Sequence, residues 1–176
     1  MLNKIKDTLK KNKQYKIETY TLVKGIPLSN ENSIVTDNGV KKLENAEFLT
    51  WKYLRLSDTL EDAFIDLNNE MNNLIPLGIF ESIVDTLKEF SLVHTSSSET
   101  DICAYIETDC QTVINADLIS DIRNKVYLEH LDMEIILTPK EYMLLKAIIS
   151  GEYQTIDVKD WGIFFSLYKK EAISFI

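Results

Sequence analysis

Apolar positions along the middle of the chain follow two periods. Leu60, Ala63, Phe64, Leu67, Met71, Leu74 and Ile75 recur at helical spacing and predict a helix of about four turns ended by Pro76. Asp58 followed by Glu61 has capping-box spacing at its start. A second helix is predicted over 79–90, burying Phe80, Ile83, Val84 and Leu87. Thr138-Pro139-Lys140-Glu141 places Thr at the N-cap, Pro at the first helical position and Glu at the third. Tyr142, Leu145, Ile148 and Ile149 follow, and Gly151 is placed to stop that helix. A last helix over 158–171 carries Trp161, Phe164, Phe165, Leu167 and Tyr168 and is apolar on most sides.

Strand-like alternation marks Tyr15–Val23, "ICAYIE" and "QTVINA" (paired around Glu107–Asp109), and Met133–Leu137. Thr36-Asp37-Asn38-Gly39 reads as a turn, and His94–Asp101 as a polar loop. Phe48–Leu56 fits either a strand or a buried helical turn, and 117–132 is ambiguous. Residues 1–13 form a short basic segment whose Leu2, Ile5 and Leu9 suit a helix. The chain ends in apolar Ser174-Phe175-Ile176, which suits a packed C-terminus.

These elements predict an α+β fold in a single domain: a small antiparallel or mixed sheet with four to five helices. The 176 residues suffice for a core without disulfides or metals, and 45% apolar composition excludes intrinsic disorder. No apolar run approaches the roughly 20 residues of a membrane span. The N-terminus lacks a secretory h-region, so a cytoplasmic location is expected, with Cys103 and Cys110 as reduced thiols in a sheet.

Charge changes this picture. The net charge of −9 combines +5 over residues 1–24 with −14 over the rest. Between Leu56 and Ile122 fourteen Asp and Glu accompany a single basic residue, Lys88. Asp62, Asp66 and Glu70 stack at i, i+4, i+8 opposite the apolar stripe of their helix, where like charges repel. A solvated exterior explains such a run, and so does a docking surface for a basic partner. The docking reading names Asp58, Glu61, Asp62, Asp66, Glu70, Glu99, Asp101, Tyr105, Glu107 and Asp109 as partner-binding residues, with Tyr105 and Trp51 as aromatic anchors. It predicts a non-catalytic inhibitor that blocks a basic site on another protein, such as a nuclease or other nucleic-acid-binding protein. An immunity protein or a phage-encoded anti-defence inhibitor has this character.

The same charge disfavours direct nucleic-acid binding. The first sixteen residues alone are basic enough to touch phosphate, and their apolar stripe is too short for membrane attachment. A more ordinary role for that segment is to lie against the protein's own acidic surface.

Other chemistries find less. His94, Cys103, Cys110 and His130 lack zinc-ligand spacing, "DLNNEMNNL" lacks the glycine of a calcium loop, and phosphate-loop and nucleophile-elbow motifs are absent. No cofactor, metal ligand or catalytic residue is assigned. The best enzymatic alternative is Glu134 with Asp157-Val158-Lys159, which resembles the acidic–acidic–lysine set of metal-dependent nucleases without their Pro-Asp dipeptide. Such a site implies a Mg2+-dependent phosphodiester hydrolase. A structural or oligomerisation module built on the apolar C-terminus is a third reading, and the sequence leaves the oligomeric state open.

Overall fold

The computed structural model describes residues 18–28, 31–153 and 158–176. The basic N-terminal segment, the start of the Tyr15–Val23 strand and Asp157 lie outside the described residues. The fold is α+β: six α-helices and four small antiparallel sheets among the described residues.

The first sheet pairs β1 (Tyr20–Val23) with β5 (Val93–Ser96). The second is a meander of β2 (Ile26–Pro27), β3 (Ser33–Thr36) and β4 (Gly39–Lys42), turning at Asp37-Asn38 as the sequence predicts. The third pairs β6 (Thr112–Ile114) with the C-terminal β10 (Ile173–Phe175). The fourth is the meander β7 (Ala116–Ser120), β8 (Lys125–Leu128) and β9 (Met133–Ile136).

The ambiguous 48–56 stretch is helical, within α1 (Asn45–Leu56). Glu44 and Glu47 form a reciprocal capping box at its start, and Trp51, Leu54 and Arg55 form its buried stripe. α2 (Leu60–Glu70) is shorter than its apolar pattern: Asn72 and Asn73 turn left-handed (φ 53° and 61°) before Pro76 is reached. Asn68 holds this turn, its side-chain oxygen accepting from the Ile75 N–H at 3.1 Å and its carbonyl from the Asn73 N–H at 2.7 Å. The N-cap of α2 is Thr59 rather than Asp58, its hydroxyl accepting from the Asp62 N–H at 3.2 Å. Thr59 takes the cap because Tyr20 bridges to it and the Leu60 N–H donates to Thr19, fixing the entry angle.

α3 (Leu77–Glu89) forms where the second helix is predicted, starting two residues earlier and ending one earlier. α5 (Pro139–Ser150) starts with the predicted capping box and ends at Gly151 with φ 74°. α6 (Trp161–Lys169) continues a single 3-10 turn, Val158–Asp160.

Two expectations fail together. His94 to Ser96 belong to β5, not to a loop, and "ICAYIE" lies inside α4 (Glu99–Asp109), not in a strand. Cys103 and Cys110 therefore sit on a helix and at its C-cap, half-buried. Ile102 and Ile106, one turn apart, are the side chains α4 buries.

The C-terminus is the keystone of the core. Ile173, Ser174 and Phe175 are fully buried. Gln111 and Ile176 exchange backbone hydrogen bonds, and the Gly25 N–H donates to the Phe175 carbonyl at 2.7 Å. The Tyr168 hydroxyl donates to the Val23 carbonyl at 2.7 Å and accepts from the Val23 N–H at 3.0 Å, tying α6 to the end of β1.

Gly25 makes this junction possible. Its φ is +101°, and a Cβ there would stand 2.2 Å from Ile34 Cγ2 and 3.1 Å from the Val35 carbonyl oxygen. Gly25→Ala is expected to cost about 2 kcal/mol through backbone strain and overpacking, read as a lower urea midpoint with unchanged m. An unchanged midpoint would show that the β1–β2 junction yields without cost.

Candidate functional site

The acidic residues singled out from the sequence divide among three places. The first is a cleft of about 310 Å³ where α4, α6 and the turn between α1 and α2 meet the start of β1. Asp58, from the residues leading into α2, and Glu99, from the first turn of α4, line it together with Tyr20, Trp161, Phe165 and Lys169. Trp161, Phe165 and Lys169 stand at i, i+4, i+8 on α6 and share one face. The Trp161 and Phe165 ring centroids are 5.4 Å apart. Lys169 Nζ reaches Asp58 Oδ1 at 2.5 Å while standing 5.0 Å from the centre of the Phe165 ring.

Two carboxylates, Asp58 and Glu99, outnumber the one ammonium of Lys169 among the residues lining the cleft. The Tyr20 hydroxyl is pushed above its ordinary pKa, first by its hydrogen bond to Glu18 (3.0 Å), then by burial and by the charges of Glu18, Glu99 and Asp58.

A second groove collects Tyr105 and Asp109 with Lys24, Asp37, Lys41 and Phe90. Tyr105 is no exposed anchor, for it stacks on His94 with centroids 3.8 Å apart and planes 9° apart. Lys24 Nζ stands 5.9 Å from the centre of the same tyrosine ring. Burial depresses the His94 pKa against the opposing pull of Asp109.

The third place is the outer surface. Asp62, Asp66 and Glu70 are exposed along α2, and Asp101 and Glu107 along α4, while Glu61 is half-buried. Asp101 accepts from the Ser96 hydroxyl at 3.1 Å and Asp62 from the Thr59 hydroxyl at 2.9 Å. Trp51, an anticipated anchor, is 1% exposed and donates its indole N–H to the Lys24 carbonyl. Burying the indole inside α1's apolar stripe removes it from any interface.

Several carboxylates have a cationic partner. Glu141 is held by Lys170, Glu171 by Arg55 and His130, Asp121 by Lys146, Glu134 by Lys125 and Asp85 by Lys88. By contrast Asp62, Asp66, Glu70, Glu99 and Glu107 form no ion pair among the described residues. Most of these pairs join two elements and Asp85–Lys88 lies within α3, whereas these α2 and α4 carboxylates face water, as do Glu89, Asp117 and Glu129 elsewhere on the surface.

The enzymatic alternatives gain little. Glu134 stands on β9 with its carboxylate engaged by Lys125, Lys159 is exposed in the 3-10 turn, and Asp157 lies outside the described residues. No three His, Cys, Asp or Glu come together in metal-holding geometry among the described residues. Burial pushes the pKa of both cysteine thiols up, which keeps them protonated at neutral pH and poor as nucleophiles. No helix is long and apolar enough to cross a membrane, among the described residues.

Sequence reasoning missed Trp161, Phe165 and Lys169 as site residues. Their spacing of four was visible, but it also suits a core helix, and only the cleft separates Phe165 from the buried Phe164. No protein-family model, curated protein or solved structure matches the chain.

Proposed function

We propose that the chain is a non-catalytic binding protein that docks its acidic face on a basic site of a partner protein and blocks it, in the manner of an immunity protein or a phage-encoded anti-defence inhibitor. The observation that carries this reading is the acidic row along α2. Asp62, Asp66 and Glu70 stand exposed in one row with no pairing cation among the described residues. Like charges at i, i+4 cost a helix a few tenths of a kcal/mol each, a cost that a cationic partner surface converts into attraction. Long-range steering by such a row accelerates association and weakens as salt shortens the Debye length.

The test is charge reversal on the outer face of α2. Asp62→Lys, Asp66→Lys and Glu70→Lys together should leave the fold intact, since all three side chains are exposed and the cap bond from the Asp62 N–H to the Thr59 hydroxyl survives the loss of the Thr59-to-Asp62 side-chain bond. The wild-type protein should capture a basic partner from host lysate at low salt and release it as salt rises, and the triple variant should capture none. Calorimetry with the purified partner should show at least a tenfold loss of affinity, about 1.4 kcal/mol. Undiminished binding by the folded triple variant would remove α2 from the interface.

A further inference from the structure

We infer that the cleft between α6 and the start of β1 receives an arginine side chain of the partner, an inference that rests on the docking role proposed above. The cleft combines what a guanidinium needs. Trp161 and Phe165 supply aromatic surface, Tyr20 lines the same space, and Asp58 and Glu99 bring two carboxylates from two different elements. At about 310 Å³ the cleft lies near the lower limit of small-ligand sites and suits one side chain better than a large cofactor.

The protein supplies its own stand-in for the ligand. Lys169 places an ammonium against Asp58 and beside the Phe165 ring, so a cation already satisfies this environment. One ammonium faces two carboxylates, however, and Glu99 is exposed and without an ion pair among the described residues. A planar guanidinium exploits the site better, because it stacks on an aromatic face while its fork of N–H donors reaches carboxylates. The incoming arginine takes Asp58 from Lys169. The displaced side chain, already 31% exposed, turns to water at the cost of one surface ion pair.

The competition between Lys169 and the arginine fixes the sign of the test. The full chain, 15N-labelled, is titrated with N-acetyl-L-arginine N-methylamide while the indole N–H signals are followed by NMR. Trp51 serves as an internal control, since its indole is buried and bonded to the Lys24 carbonyl. The Trp161 signal, assigned with Trp161→Phe, should shift saturably and the Trp51 signal should not. Lys169→Met should tighten binding about 2- to 5-fold and Asp58→Asn should weaken it by a similar factor, the worth of roughly one exposed charge pair. The lysine analogue of the probe should bind more weakly than the arginine probe.

No saturable shift of Trp161 would overturn the inference, as would weaker binding by Lys169→Met. A Trp161 shift produced by acetate and abolished in Lys169→Met would also overturn it, by making the cleft an anion site. If Lys169→Met fails to fold, the wild-type and Asp58→Asn titrations decide the question. The α2 triple reversal separates the two proposals. Loss of partner capture there with the arginine shift intact supports both. Salt-sensitive partner capture in a protein whose Trp161 ignores the probe sinks the cleft alone. A probe that binds in a protein with no basic partner sinks the docking role and with it the assignment of the arginine to a partner.

Discussion

Arg55→Ala is expected to lower the unfolding free energy by about 3–5 kcal/mol, the cost of breaking a buried ionic network from one side. Arg55 is 1% exposed and joins the last turn of α1 to the C-terminal keystone. Its Nη2 donates to the Tyr168 and Ile173 carbonyls, both at 3.1 Å, and approaches Ser174 Oγ at 3.3 Å. The guanidinium carbon lies 4.3 Å from the centre of the Tyr168 ring, and Nε stands 3.6 Å from Glu171. Glu171 in turn meets His130 Nε2 at 3.1 Å from a left-handed backbone, φ 61°. Truncation removes the donor to two carbonyls, opens a cavity between α1 and α6, and leaves Glu171 short of one cation. A lower urea midpoint with unchanged m checks this. Arg55→Met with Glu171→Gln should recover at least about 1 kcal/mol of the loss, because an apolar replacement of the arginine and a neutral one of the glutamate avoid the desolvation that each ion pays. If the double variant is no better than Arg55→Ala, the network's value lies in the hydrogen bonds that Nη2 donates to the Tyr168 and Ile173 carbonyls, which neither replacement supplies.

Arg55 also shows where the sequence falls silent. A basic residue inside "FLTWKYLRL" carries no mark of burial, and its partners Tyr168, Glu171 and Ile173 lie far along the chain, at its C-terminal end. What local physics dictates was legible: the Thr138–Glu141 cap, Gly151, the α3 stripe and the Asp37-Asn38 turn all formed as expected. "ICAYIE" failed because Ile102 and Ile106 satisfy both periods at once, two apart twice over and four apart once. Its Ile, Cys and Tyr residues favour a strand by propensity, and packing of one helical face against β1 and β5 overrode that preference.

The candidate site was legible in part for the same reason. A row of carboxylates at i, i+4, i+8 is a local pattern, and α2 carries it outward as its spacing implies. The meeting of Asp58 and Glu99 is tertiary. It follows from the hydrogen bond of the Thr21 N–H to the Asp58 carbonyl and from the packing of α4 on β1, neither of which any spacing encodes.

Acid should unfold the protein in part through one buried carboxylate, Glu141. Burial pushes its pKa up, but hydrogen bonds from Lys170, Ser166 and the Thr138 N–H, with the charge of Lys170, outweigh burial and bring it from 4.5 to about 2. The geometry supports the direction: Lys170 Nζ stands 2.8 and 2.7 Å from the two oxygens, the Ser166 hydroxyl 2.6 Å away and the Thr138 N–H donor 2.8 Å away. Because the folded pKa lies below the unfolded one, the ionised carboxylate stabilises the fold fully above about pH 4.5, and that contribution is lost as pH falls toward about 2. Lys170 is 38% exposed, so water screens part of the attraction. We expect a contribution of about 2–3 kcal/mol at neutral pH rather than the full value of the shift. Glu141→Gln preserves the shape of the capping box and removes the charge, so it should cost about that much at pH 7. Urea midpoints of the wild-type and variant proteins should converge as the pH is lowered from about 5 to about 2, since a protonated Glu141 and its neutral amide replacement carry the same charge. A gap that stays constant across that range would show that Glu141 stabilises the α5–α6 contact through its hydrogen bonds alone, with its charge contributing nothing.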